Sequence, residues 1–143
     1  MLKQVAEIVD LLDGADASGT TVANFFAAHG FGDCGVKTVS SPEGSTDFIR
    51  LYIQGRSGRA RGGSAPTLGV IGRLGGVGAR PHVIGLVSDA DGAVTALAVA
   101  LKLWQMQKRG DTLAGDVLVT THICPRAPVI PHEPVPFMGP PVP

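Results

Sequence analysis

The chain has 143 residues, 44% of them hydrophobic and 17% charged, and its 12 basic residues balance 12 acidic ones. That length suits one domain with a core of its own, and a zero formal charge offers no broad attraction to nucleic acid or anionic lipid. Its apolar runs stop well short of the roughly 20 residues a membrane-spanning helix needs, residues 1–10 lack a signal-peptide pattern, and two distant cysteines, Cys34 and Cys124, make no disulfide framework. A cytoplasmic protein without nucleic-acid or membrane partners is expected. The 20 glycines and 11 prolines are not spread evenly. Glycine concentrates between Gly55 and Gly92 and proline after Cys124, which marks particular loops and a tail rather than general disorder.

Residues 2–13 place Leu2, Val5, Ile8, Val9 and Leu12 on one face at helical spacing and stop at Gly14. Residues 18–29 form a second helix, with Val22, Phe25 and Phe26 on its apolar side and Gly30 as its stop. Together they make an N-terminal helical segment, residues 1–32, ahead of an α/β core over residues 33–124. Residues 36–39 and 46–54 are strands. In the second, Phe48, Arg50 and Tyr52 alternate with Ile49, Leu51 and Ile53, the period of a strand with one buried face. Residues 55–65 form a flexible basic loop carrying Arg56, Arg59 and Arg61. A short apolar strand over 67–71 leads into a glycine-rich loop, residues 72–81. Gly75, Gly76 and Gly78 run into Pro81, so neither a dinucleotide fingerprint nor a Walker loop is present, and a need for positive φ and close backbone approach explains the glycines better.

The chain is organised around the next stretch. An apolar strand, residues 83–87, meets a turn of Ser88, Asp89, Ala90, Asp91 and Gly92, which opens a helix with Val94, Leu97, Ala98, Leu101 and Trp104 as its buried stripe. Lys108, Arg109 and Gly110 end that helix, and residues 117–122 form another buried strand. Strand, helix and strand joined so briefly predict a right-handed βαβ unit. From Pro125 to Pro143 the prolines forbid a helix or central strand. Val129, Ile130, Val135, Phe137 and Met138 still call for an extended tail lying on a surface: its own domain, a neighbouring subunit, or sequence outside this chain.

Ligands of open α/β sheets bind at strand C-termini, and two groups fall at such ends: Ser88, Asp89 and Asp91, and His122 with Cys124. If the strands are parallel, carboxylate, imidazole and thiolate come within reach of one cation, a donor set that suits zinc. The plainer roles are helix capping for Asp89 or Asp91, a backbone-satisfied ring for His122, and a small core residue for Cys124. A nucleophilic triad is not supported: Ser88 lacks the Gly-x-Ser-x-Gly elbow, and Cys124 precedes Pro125 with no helix dipole to activate it. Anion binding by Arg56, Arg59, Arg61 and Arg73 is a third reading.

Thr46 to Ile49, Leu68 to Ile71, Val87 to Gly92 before an Ala/Leu helix, and Gly115 to Val119 resemble the zinc aminopeptidase/carboxypeptidase superfamily. That resemblance implies a three-layer α/β sandwich with a mixed sheet, incomplete in this chain, and a bridging Asp three residues before a Gly, the spacing of Asp89 and Gly92. It makes Asp89 the metal ligand and leaves Asp91 as the N-cap; the strand-end reading adds His122 as the second ligand and Cys124 as the third. Arg73 to Gly75 stand where the superfamily has His-x-Asp, and His122 to Pro125 stand where it has a Glu-Glu pair. Over nearly the whole chain, Pro66 to Gly76, His82 to Gly92 and Thr121 to Gly139 look like an uncharacterised prokaryotic family, domain-of-unknown-function family 1177. The resemblances imply a peptidase-like protein, a divergent metal-dependent hydrolase of amide or peptide bonds. The alternative is a non-catalytic assembly protein associating through its tail. They further imply the N-terminal half of a longer protein or one subunit of a split one, with a second copy or a complementary C-terminal half as partner.

Overall fold

Each helix forms where the sequence supplies both an apolar face and a way to end. In the computed structural model, which describes residues 1–73, 75–77, 86 and 90–142, α1 spans Leu2–Asp13 and buries Gln4, Ile8 and Leu12. The next helix, α2, spans Gly19–Ala28 and starts at a reciprocal cap. The Thr21 N–H donates to Ser18 Oγ at 3.1 Å, and the Ser18 N–H donates to Thr21 Oγ1 at 2.9 Å. At its end Gly30 takes φ 82°. The Gly30 N–H then donates to the Ala27 carbonyl and the Phe31 N–H to the Phe26 carbonyl, with the two phenyl rings edge to face at 5.9 Å. The long helix α3, Asp91–Lys108, ends in the same way at Gly110, φ 88°, and Asp111.

The start of α3 departs from expectation. Ala90, not Asp91, is the N-cap, and among the described residues no side chain caps it; Asp91 is inside the first turn, where its charge favours the helix dipole without capping. Packing fixes the position. A Cβ on Gly92 would lie 1.3 Å from the Arg73 carbonyl oxygen, and one on Gly72 would lie 2.2 Å from the Gly92 carbonyl oxygen, so the helix begins pressed against the backbone of residues 72–73.

Among the described residues four strands make the main sheet: β1 (Cys34–Ser41), β2 (Gly44–Ile53), β3 (Leu68–Ile71) and β4 (Val117–Arg126), in the order β1-β2-β4-β3. Of these four strands only β3 and β4 run parallel, so the sheet is mixed, as expected. The parallel neighbour of β4 is β3, and α3 lies in the crossover between them. The strand expected over 83–87, with Ser88 and Asp89, lies outside the described residues except for Leu86. That residue forms one antiparallel bridge with Val77 and donates its N–H to Asp13 Oδ1 at 3.2 Å.

Ile49, Leu51 and Ile53 of β2 and Val117, Val119 and Ile123 of β4 point into one core with Ile8, Leu12, Val22, Phe26, Leu97 and Leu101 from the helices. Burying each such Leu, Ile or Phe contributes about 1.5–3 kcal/mol. Among the described residues the three helices pack on this one face, giving two layers where three were expected. The other face is open: Phe48 is 46% and Ile71 is 82% exposed.

Proline does not end β4. Pro125 sits in this central strand, against expectation, because the ladder bulges there. Ser45 pairs with Arg126 and Asp47 with Ile123, so Thr46 alone faces Cys124 and Pro125. The missing N–H falls where no ladder bond is required, and β3 has already ended at Ile71, opposite Thr120. Beyond the bulge the tail folds onto its own domain. A small hairpin, β5 (Val129–Ile130) with β6 (Phe137–Met138), is followed by buried Gly139 and Pro141. The Ser41 hydroxyl donates to the Pro141 carbonyl and the Gly139 N–H to the Pro128 carbonyl.

The basic loop also has a fixed shape, built around Asp116, which is only 1% exposed. Asp116 accepts from the Gly55 N–H at 2.8 Å, the Tyr52 hydroxyl at 2.7 Å and the Ala60 N–H at 3.1 Å. Gly58 lies so close to this carboxylate that a Cβ there would collide with it at 2.1 Å. Arg59–Arg61 form a short 3₁₀ turn before β3, whereas Arg73 follows β3.

Two consequences are measurable. Gly92→Ala should destabilise the protein by about 1–3 kcal/mol or more, read as a lower urea midpoint, despite the better helix propensity of alanine. The Tyr52 hydroxyl, then the Ala60 and Gly55 amides, hold the Asp116 carboxyl below its usual 3.8. Its stabilising effect is therefore complete above pH 3.8 and lost as pH falls through the lower folded value. Chemical denaturation of the protein and Asp116→Asn between pH 2 and 7 should show the two stabilities converging in acid; a gap unchanged down to pH 2 would refute this role.

Candidate functional site

Since β4 outruns β3, its residues 121–126 lie past the C-terminal end of the parallel pair. Alternation then sorts the side chains. Thr121 and Ile123 turn to the core, Thr121 donating to the Gly72 carbonyl at 2.9 Å, while His122 and Cys124 share the open face. The loop at Gly75 seals the side that β3 has left. The Cys124 N–H donates to the Gly75 carbonyl at 2.8 Å, and a Cβ on Gly75 would lie 1.8 Å from the His122 carbonyl oxygen. Close backbone approach is thus the role of this glycine, as expected of the loop.

Two residues of β2 complete this face. Phe48 is the register partner of His122, with ring centroids 5.9 Å apart, and Thr46, at the bulge, brings Oγ1 to 3.4 Å from Cys124 Sγ. Met138 to Val142 of the tail close the far side. The result is a cleft of about 350 Å³ between the end of the sheet, the 75–76 loop and the tail.

Both titratable groups in the cleft are held neutral. Burial, and then the positive charge of Arg73, lowers the His122 imidazolium pKa below 6.5. Burial raises the Cys124 thiol above its ordinary 9.0, with the Thr46 hydrogen bond pulling the other way and the charge of Asp47 adding to the rise. The other cysteine, Cys34, is also a free thiol and is pushed up to about 11 by burial and the neighbouring Asp33, so it has no nucleophilic character at neutral pH.

Of the three residues expected to hold a metal, the fold brings His122 and Cys124 together, and Asp89 lies outside the described residues. Among the described residues no group of three His, Cys, Asp or Glu side chains converges as a metal site would. The pair still fits two ligand positions: an unprotonated imidazole and a thiol, two residues apart on one strand face. Thr46, Phe48 and Met138 were missed from the sequence. Thr46 and Phe48 reach the cleft through partners more than 70 residues along the chain, and Met138 reaches it through the tail hairpin with Val129; only the alternation of Phe48 with Ile49 hinted that it faced away from the core.

Residues 37–143 match the family described as protein of unknown function (DUF1177). The chain belongs to that family. Among curated proteins none matches it. The DUF1177 match takes in every element that builds the cleft, from β2 through the glycine loop and β4 to the tail, while α1 and α2 precede it. Among the described residues no helix is long and apolar enough to cross a membrane.

The shifted imidazole gives the site a pH signature. Because the folded pKa of His122 is below 6.5, the unfolded chain takes up this proton first, and stability should fall as pH drops from 6.5 towards the folded value. His122→Gln should flatten that part of the profile relative to the parent. Equal slopes for the two proteins between pH 7 and 5 would contradict the burial of a neutral imidazole.

Proposed function

We propose that this cleft is the functional centre of a peptidase-like α/β protein, a divergent metal-dependent hydrolase of amide or peptide bonds. The supporting observation is the placement of His122 and Cys124 side by side on the open face of β4, past the end of a parallel strand pair, where α/β sheets put their ligands. His122 would serve as one zinc ligand and Cys124 as another, with Asp89 as the third on the strength of its spacing from Gly92. Zinc bound there would polarise a carbonyl and make bound water acidic. His122 arrives unprotonated, Thr46 orients the Cys124 thiol, and Phe48 fixes one flank of the imidazole. No carboxylate lines the cleft among the described residues, so His122 is the group there that exchanges a proton nearest neutral pH.

A second reading, a non-catalytic assembly protein, draws on exposed apolar groups. Val135 and Phe137 of the tail are 64% and 49% exposed although Gly139 and Pro141 further along it are buried, and Phe48 and Ile71 lie open on the sheet. A second copy, or a complementary C-terminal half, would cover them.

Zinc titration with metal analysis separates the two. The hydrolase reading expects about one zinc per chain, with His122→Ala, Cys124→Ser and Asp89→Ala each weakening it by more than the roughly 10–100-fold typical of losing a supporting residue. A protein that takes up no zinc and sediments as an oligomer, dispersed by Phe137→Ser, would favour assembly instead.

A further inference from the structure

Apart from the polar edge made by Thr46, His122 and Cys124, the cleft is a hydrophobic container. Phe48, Ala127, Met138 and Val142 form its walls, with prolines and glycine backbone between them. None of the described residues lining it carries a fixed charge. An ion entering such a place would shed water and find no counter-charge among these lining residues, Arg73 and Asp47 acting only from beyond them. The volume, about 350 Å³, is at the small end for ligand pockets, and an apolar cavity of roughly 150 Å³ already accepts a benzene-sized guest.

The wall formed by the tail is held in place. The Gly139 N–H donates to the Pro128 carbonyl at 2.9 Å, and Gly139 is so tightly seated that a Cβ there would lie 2.6 Å from the Ile130 side chain. Pro141 is tied to Ser41 and is buried. Met138, between these anchors and the cleft, is the adaptable part, since an unbranched thioether can shift to fit different apolar shapes.

We propose that the cleft binds the uncharged, apolar part of a small organic molecule, an aliphatic or single-ring aromatic group, with the polar end of that molecule directed to His122 and Cys124. This rests on the reading of those two residues as the reactive or recognising edge and does not require a metal to be bound. It narrows the substrate class to amides or esters whose group beside the reacting carbonyl is neutral and apolar.

The test uses the full chain after chelator treatment and three probes of one size: benzyl alcohol, benzoate and benzylammonium. Ligand-detected NMR should show benzyl alcohol binding, protein-detected spectra should show amide shifts at residues 122–124, 126–127, 138–139 and 142, and the two ions should bind more weakly by roughly tenfold or more. Met138→Trp, which fills the cavity, should abolish the signal while circular dichroism stays unchanged. Val142→Trp fills the same space from another position if the first variant folds poorly. Equal binding of the charged probes, no binding of benzyl alcohol, or binding indifferent to both fillings would overturn the proposal. Zinc uptake without benzyl alcohol binding sinks this inference alone, and benzyl alcohol binding without zinc uptake supports it while removing the metal reading.

Discussion

Everything distinctive in this molecule depends on how β4 ends. A central strand must satisfy hydrogen bonds on both edges, and Pro125 has no N–H to give. The bulge at Thr46 resolves the conflict by setting two residues of β4 against one of β2. The same irregularity places the Thr46 hydroxyl on the Cys124 thiol and releases the chain into the tail that closes the cleft. On the other edge, β3 stops early and the Gly75 carbonyl takes the Cys124 N–H in its place. A strand that lost partners on both edges without these substitutes would fray, and the site would have no floor.

Much of the scaffold was legible from local signals, because local physics decides it. The spacing of Ile8 and Leu12, the Ser18 cap, and Gly30 and Gly110 beyond their helices act within a turn or two of where they stand. The alternation in β2 was equally plain. What went unread was set by distant neighbours. Asp91 has the chemistry of a cap, yet the fit of Gly92 against Arg73 moved the helix start to Ala90. Asp116 looks like an ordinary residue ahead of a strand. Its partners Tyr52, Gly55 and Ala60 are more than 50 residues earlier, so no window of sequence shows that it organises the basic loop.

The candidate site divides along the same line. His122 and Cys124 were readable as a pair because a strand puts every second side chain on one face. Their neutrality was not readable, since it comes from burial by Phe48, the glycine loop and a tail that sequence alone allowed to lie on three different surfaces. That neutrality matters to both chemistries. A lowered imidazole pKa favours the neutral ring that binds a cation, and a raised thiol pKa disfavours the thiolate, so a partner able to stabilise that thiolate would increase the reactivity of Cys124.

Glycine ties these points together. The count of 20 first looks like a mark of looseness. Yet at Gly58, Gly75 and Gly92 a single added carbon would overlap a carboxylate, a carbonyl on β4 and a carbonyl ahead of α3. Each allows one backbone segment to rest directly on another polar group. The basic loop gathers on Asp116, the loop at Gly75 seals β4, and α3 presses against the end of β3. With so few aromatic side chains, 5% of the chain, this fold gains close packing by bringing backbone to backbone, and its cleft lies where that packing stops at the open face of His122 and Cys124.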